Sequence, residues 1–291
     1  MTTLTIVIGG LLIGIVYACI ALGFSVSMWA CRVTNFAHGH FVLIGAYVAY
    51  TMLGLGLPIY SALPFAGLIT GILGMVVYRF LVQPFAPSDA GLQIALTLGV
   101  AILLENLLAL VFGPDPISAG SAWSAATTVV LGEVRLSVSR LIAGGAGIVI
   151  IWGTWWLFER NRWGMAIEAA GENVAGAELT GYAGRRVLML GFGLSTLLAG
   201  LAGVLLLPVA NVSPYDAVDY TLRSFVVVLV AGQGNLRAIL LTGLLVGLLQ
   251  SGGAYLASTD MATVACYVLL LVALWVRRVR SGVTALGVSE R

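Results

Sequence analysis

Residues 34–47 read TNFAHGHFVLIGAY and carry both histidines of the chain, His38 and His40, close behind Asn35. Imidazoles bind zinc or move protons. Residues i and i+2 do not face each other on a helix, so a shared metal requires an extended segment. Zinc takes about four ligands, or three plus water. The nearest further donor is Cys31, and no acidic residue lies nearby. A proton relay needs acidic partners at membrane depth, and only Glu105 qualifies. A third reading fits better. Thr34, Asn35, His38, Gly39 and His40 form a polar, flexible lead into an apolar run, where their side chains satisfy free backbone groups or line a pore. No metal is expected.

Glu105 lies in ALTLGVAILLENLLALVFG, with Asn106 beside it. A carboxylate inside a membrane is costly and by default functional. It meets a substrate ammonium or a helix end, or it is a protonated or hydrogen-bonded packing residue. The stretch RWGMAIEAAGENVAGAELTGYAGRR (162–186) is Ala-rich and mildly amphipathic. Ala166, Ala169, Ala170, Asn173, Val174 and Ala177 recur at helical spacing, and Gly181 and Gly184 can end the helix. A small-residue face of this kind suits docking into a groove on another protein, and a solvated connector is the plainer alternative.

The elements that position these groups follow from composition. Of 291 residues, 60% are hydrophobic and 9% charged, against about 25% charged in soluble domains, and mean hydropathy is +1.06. Runs of about 20 apolar residues are long enough to cross a hydrocarbon core as helices, and the weak alternation of a β-barrel is missing. The sequence therefore predicts one all-α polytopic membrane domain over 1–291. Its eight full spans fall at about 5–28, 37–56, 60–81, 92–113, 138–158, 187–210, 237–257 and 260–276. The N-terminal run has no basic leader and reads as a retained helix. Cys19, Cys31 and Cys266 read as small buried residues.

All 14 basic residues are arginine. Without lysine the chain has neither a Walker A loop nor Schiff-base chemistry, so it is not an enzyme with its own nucleotide site. A net charge of +2 gives no reason to invoke nucleic acid. Arginine placement sets the topology. With 159–186 cytoplasmic, the N-terminus lies outside. The tail RRVR (277–280) returns to the cytoplasm only if a short discontinuous segment near 224–236 also traverses. Arg135, Arg140 and Arg223 then lie outside. Broken segments at membrane depth face protein or a water-filled cavity. Segment 114–137 is the external loop, and TTVVLGEVRLSV within it predicts a surface hairpin. GxxxG pairs at Gly10/Gly14, Gly67/Gly71 and Gly243/Gly247 let helices approach closely, within one bundle or at a dimer face.

Several segments carry a family resemblance: TNFAHGHFVLIGAYVAY, LTLGVAILLENLLALVFG, RWGMAIEAAGENVAGAELTGYAGRRV, GLSTLLAGLAGVLL and VSPYDAVDYTLRSFVVVLVAGQGNLRAILLTGLLVGLLQS. In this order they resemble the membrane-spanning permease subunits of bacterial branched-chain amino-acid ABC importers. The resemblance implies a bacterial inner-membrane protein with a cytoplasmic C-terminus that carries branched-chain or other apolar amino acids, or urea or short amides. An ion-coupled carrier or channel acting alone is the alternative from another class. Implied partners are a second related permease, two ATP-binding cassette subunits and an extracytoplasmic solute-binding protein. ATP is used by the partners, and the chain itself has no cofactor. The resemblance places Asn35 to Gly39, with His38 among them, near the pathway, and the reading of the residues adds His40, Glu105, Gly232 and Gly234. ATPase coupling is implied at Ala169, Ala170, Gly171, Glu172, Ala177 and Gly181. The chain departs from the family pattern at His40, where an acidic residue is usual, at Ala231 and Ala238 in AGQGNLRA, and in RRVRSG after the last span.

Overall fold

A computed structural model of the chain describes residues 3–85, 90–119, 128–131, 134–179, 181–256 and 258–286. Helix α1 (Thr3–Ser25) runs on through a π turn at Val26–Ala30, and α2 spans His38–Gly54. Helix α3 (Ala62–Val77) is flanked by short 3-10 and π turns that extend it over Ile59–Phe85. Then come α4 (Ala90–Phe112), the hairpin β1 (Thr128–Leu131) and β2 (Val134–Ser137), and α5 (Val138–Arg160). The short helices α6 (Arg162–Glu172) and α7 (Val174–Leu179) lead into α8 (Gly184–Leu206), α9 (Ala217–Ala231), α10 (Leu236–Leu256) and α11 (Thr259–Leu286). The predicted hairpin is present as β1 and β2, while 120–127, 132 and 133 of the predicted 114–137 loop lie outside the described residues.

The all-α polytopic architecture is as the sequence reads. Six helical runs among the described residues are long and apolar enough to cross a bilayer: Thr3–Ala30, Ile59–Phe85, Gly91–Phe112, Val138–Arg160, Gly184–Leu206 and Leu236–Leu256. Two further expected spans are shorter as apolar helix. The 17 residues of α2 rise about 25 Å, against a core of about 30 Å. In α11 the apolar stretch is Met261–Ala273.

Glycine lets the backbones approach. A methyl on Gly14 of α1 would meet the Leu244 Cα of α10 at 2.8 Å, and one on Gly243 would meet Ala18 Cβ at 2.7 Å. Two GxxxG pairs thus build the α1–α10 crossing inside one chain. Gly67 and Gly71 of α3 lie against Leu197 and Leu201 of α8. Gly45 of α2 meets Gly200 of α8, and Gly203 of α8 meets Val42 and Ala46 of α2. Helix α8 is consequently the most enclosed of the six runs.

Two sequence expectations change. The discontinuous segment begins before 224: it is the 15-residue helix α9, ended by Gly232 and Gly234, whose φ angles of 94° and 77° turn the chain into α10. Arg223 is then no external loop charge. It lies on α9 and is 8% exposed. Its Nη1 donates to Tyr17 Oη at 2.6 Å and its Nη2 to Asp219 Oδ2 at 2.6 Å. Arg223 also donates to Thr263 Oγ1, and Tyr267 Oη donates to Asp219 Oδ1 at 2.8 Å. The charge is tolerated because carboxylate, phenols and hydroxyl replace its water.

Candidate functional site

A turn at the end of α1 sends the chain back into the bundle. Arg32 adopts φ 57°, a left-handed conformation that ends the helix. Residues 31–37 then run without helical structure, and α2 starts where His38 Nε2 meets the Ile20 carbonyl at 2.9 Å. Ile20 lies ten residues before Ala30, so the His38 side chain at the end of this lead-in meets α1 about 15 Å back along its axis. At such depth each amide needs a protein partner. Asn35 Oδ1 accepts from Ala37 N at 3.0 Å, and the Asn35 carbonyl accepts from His38 N at 3.1 Å. Thr97 Oγ1 of α4 accepts from Phe36 N at 3.3 Å. Thr221 Oγ1 of α9 accepts from Gly39 N at 2.8 Å. Side chains of α4 and α9 therefore supply the missing ladder. Glycine is required at 39, because a methyl there would lie 2.6 Å from Thr221 Oγ1 and closer still to the Ala217 carbonyl oxygen.

The histidines diverge, as their spacing predicts. His38 is fully buried against α1, edge-on to Phe24 with centroids 5.4 Å apart. His40 turns to α4, its Nε2 3.5 Å from Glu105 Oε2. Glu105 is itself 29% exposed. Tyr47 stacks on Phe112 farther along the same two helices, centroids 4.5 Å apart. Four buried polar atoms on this lead-in and helix have no partner: Asn35 Nδ2, His38 Nδ1, His40 Nδ1 and Tyr47 Oη. Buried polar groups are normally bonded, so such a concentration calls for an explanation. It leaves spare donors and acceptors along the lead-in and α2, one of them on the imidazole that meets Glu105. Among the described residues no three His, Cys, Asp or Glu side chains converge as metal ligands.

Asn35, His38, Gly39, His40 and Glu105 thus form one neighbourhood. Gly232 and Gly234 do not join it. Gly39 packs on the first turns of α9, and these glycines follow its last, about 20 Å away. Gly234 N–H instead faces Ser25 Oγ at 3.5 Å, under the Trp29 ring. Gly234 lines a cavity of about 620 Å³ with Trp29, Glu159, Glu168 and Arg237.

The stretch 162–186 opens with two helices, α6 and α7, because Asn173 is extended between them (φ −152°, ψ 102°), and its Gly184, Arg185 and Arg186 already belong to α8. Ala166, Ala170 and Ala177 are buried. A methyl on Gly171 would lie 2.8 Å from the Ala30 carbonyl carbon. Part of the small-residue face thus packs on this chain itself, through Ala166, Ala170, Gly171 and Ala177, while Ala169 and Asn173 of the same set are exposed. The outer face carries Ala169 and Glu172 with exposed Trp163, Met165 and Leu179, the last 90% exposed. Gly181, φ 89°, turns the chain toward α8. Glu168 has its carboxyl pushed above the usual range by partial burial, then by Glu172 and Glu159, with Arg32 opposing.

Sequence reading missed Thr97, Thr221 and the Tyr17–Arg223–Asp219 network. The one available signal was Asp219 and Arg223 at i,i+4 spacing.

The family model described as "Branched-chain amino acid transport system / permease component" matches residues 6–274. The chain is 25% identical over 285 residues to the high-affinity branched-chain amino acid transport system permease protein BraD of Pseudomonas aeruginosa, covering 93% of this chain and 92% of the relative. It is 26% identical over 286 residues to LivH of Escherichia coli, a high-affinity permease protein of the same description, covering 92% and 91%. A probable LivH of Methanocaldococcus jannaschii is 26% identical over 250 residues, covering 84% and 79%. Among solved structures, PsaBC from Streptococcus pneumoniae in complex with Fab superposes with a TM-score of 0.50. It covers 93% of this chain and 90% of that one at 13% identity, a likeness of fold alone.

Proposed function

The chain belongs to the family of branched-chain amino acid transport permease components, and from that premise we propose that it is the membrane-spanning subunit of an ABC importer for branched-chain or other apolar amino acids. The match over nearly the whole chain carries this reading. The relatives' names favour amino acids over urea or short amides. As a multi-pass protein of the inner membrane, with its C-terminus in the cytoplasm, the chain pairs with a second related permease. Two ATP-binding cassette subunits supply ATP hydrolysis, since this chain has no nucleotide site, and a soluble binding protein delivers the solute.

The solute passes along the lead-in and first turn of α2, Asn35, His38, Gly39 and His40, and the His40–Glu105 contact with α4. The unpartnered polar atoms there support the assignment. Gly232 and Gly234 give the path its far turn, next to the module that receives the ATPase stroke. In that module Ala169 and Glu172 meet the ATPase. Ala170, Gly171 and Ala177 seat the two helices on the chain's own bundle, and Gly181 turns the chain from them toward α8. Exposed apolar residues outside the spans, Leu179 above all, support a covered outer face.

The test is gentle purification followed by reconstitution with whatever ATPase and permease subunits co-elute. ATP-dependent leucine uptake is expected. Uptake that proceeds without ATP would overturn the reading.

A further inference from the structure

We propose that the cleft between the end of the α3 run and the start of α8 binds the phosphate head of an anionic phospholipid. Arg79, Gln83 and Pro84 come from the last turns of the Ile59–Phe85 run, and Arg185 and Leu188 from the first turns of α8. With Tyr78 and Val174 they line a cavity of about 580 Å³. A second cavity of about 330 Å³ shares Arg79, Gln83 and Arg185 and adds Arg186 and Met189. Three shared walls make these one cleft, and three guanidinium groups open into it.

Among the described residues none of those charges has an ion-pair partner: the ion pairs are His40–Glu105 and Arg223–Asp219, and neither involves Arg79, Arg185 or Arg186. The contact of Arg79 is the Phe80 ring at 6.0 Å. Three like charges repel unless an anion joins them. The guanidinium fork matches phosphate oxygens bidentately.

Position selects a lipid over a soluble anion. Both helical runs are long and apolar enough to span a bilayer, and the arginines lie near their ends, at headgroup depth. Just beside them Val76 (44%), Phe80 (68%) and Leu190 (43%) are exposed on the same helices. They give acyl chains a surface to lie on while the head enters the cleft. Basic pockets between helices at this depth hold anionic headgroups. The inference does not depend on the transported solute.

The experiment uses the full-length chain in mild detergent. Native mass spectrometry follows titration with phosphatidylglycerol, phosphatidylcholine and, separately, inorganic phosphate. Phosphatidylglycerol is expected to bind at least tenfold more tightly than phosphatidylcholine, since three cations favour the lipid with net charge. Each of Arg79→Gln, Arg185→Gln and Arg186→Gln should weaken it about fivefold, and all three together on the order of 100-fold. These side chains are exposed, so the single variants carry the test if the triple variant does not fold. Unchanged lipid selectivity in folded variants overturns the proposal. Displacement of the lipid by inorganic phosphate at equal concentration overturns the lipid assignment, because the cleft would then serve a free anion.

Discussion

Gly39→Ala tests the idea that close backbone approach holds the non-helical lead in place. The added methyl would sit 2.6 Å from Thr221 Oγ1 and 2.8 Å from the Ala217 carbonyl carbon, where real Cβ atoms essentially never come within 3.0 Å. Helices α2 and α9 must separate, and backbone cannot move as cheaply as a side-chain tip. Overpacking of this kind costs about 1–3 kcal/mol. Separation also lengthens the 2.8 Å bond from Gly39 N to Thr221 Oγ1. An orphaned buried amide adds about 1–3 kcal/mol. The expected total is about 3–4 kcal/mol, a fall in melting temperature on the order of 5–10 °C for a chain of this size. The control is Gly99→Ala on α4, where a methyl meets nothing within 4 Å. Helix propensity there favours alanine by up to about 1 kcal/mol. The assay is thermal unfolding in detergent, followed by the fluorescence of the seven tryptophans. Thr221→Val should lose much of the same bond, so the double variant with Gly39→Ala should cost less than the two singles added. Equal melting temperatures for Gly39→Ala and Gly99→Ala would refute the reasoning.

Three more outcomes follow from the same structure. Arg223→Met leaves the buried Tyr17 hydroxyl without its donor, while Asp219, 42% exposed, keeps its bond from Tyr267, and should destabilise by about 1–3 kcal/mol. A chemical-unfolding midpoint checks it. Glu168 has a raised carboxyl pKa in the folded state. Folding therefore favours its protonated form, and stability falls as pH rises from the unfolded value through the folded one. Glu168→Gln should remove that loss, melting higher than the parent at neutral pH and the same in acid. Glu172 is exposed, whereas Gly171 abuts Ala30. Glu172→Ala should lower ATP-driven uptake with unchanged melting, and Gly171→Ala should lower both; an uptake assay run beside a melting curve separates them.

Much of the molecule is local and could be read from residues in order. Apolar length gives the helices, because backbone in hydrocarbon has no partner but itself. The strand pair follows from TTVVLGEVRLSV, and close helix crossings follow from Gly10, Gly14, Gly243 and Gly247. The i,i+2 spacing of His38 and His40 already sends them to different neighbours. Tertiary structure decided what depends on partners distant in sequence. Arg223 scores as a loop charge in any count of arginines, yet it is buried because Tyr17, 206 residues away, and Asp219 accept its hydrogen bonds. That pairing keeps Arg223 inside α9, which begins at Ala217, before the apolar stretch that marks it in sequence. Asn35 reads as a polar loop residue. That its backbone lies deep in the bundle was fixed by Thr97 and Thr221, on α4 and α9. The Ala-rich face of α6 has a periodicity that announces a contact and not its owner. Ala30, at the end of α1, occupies that face. Periodicity measures how apolar a face is; which surface covers it depends on where the rest of the chain folds.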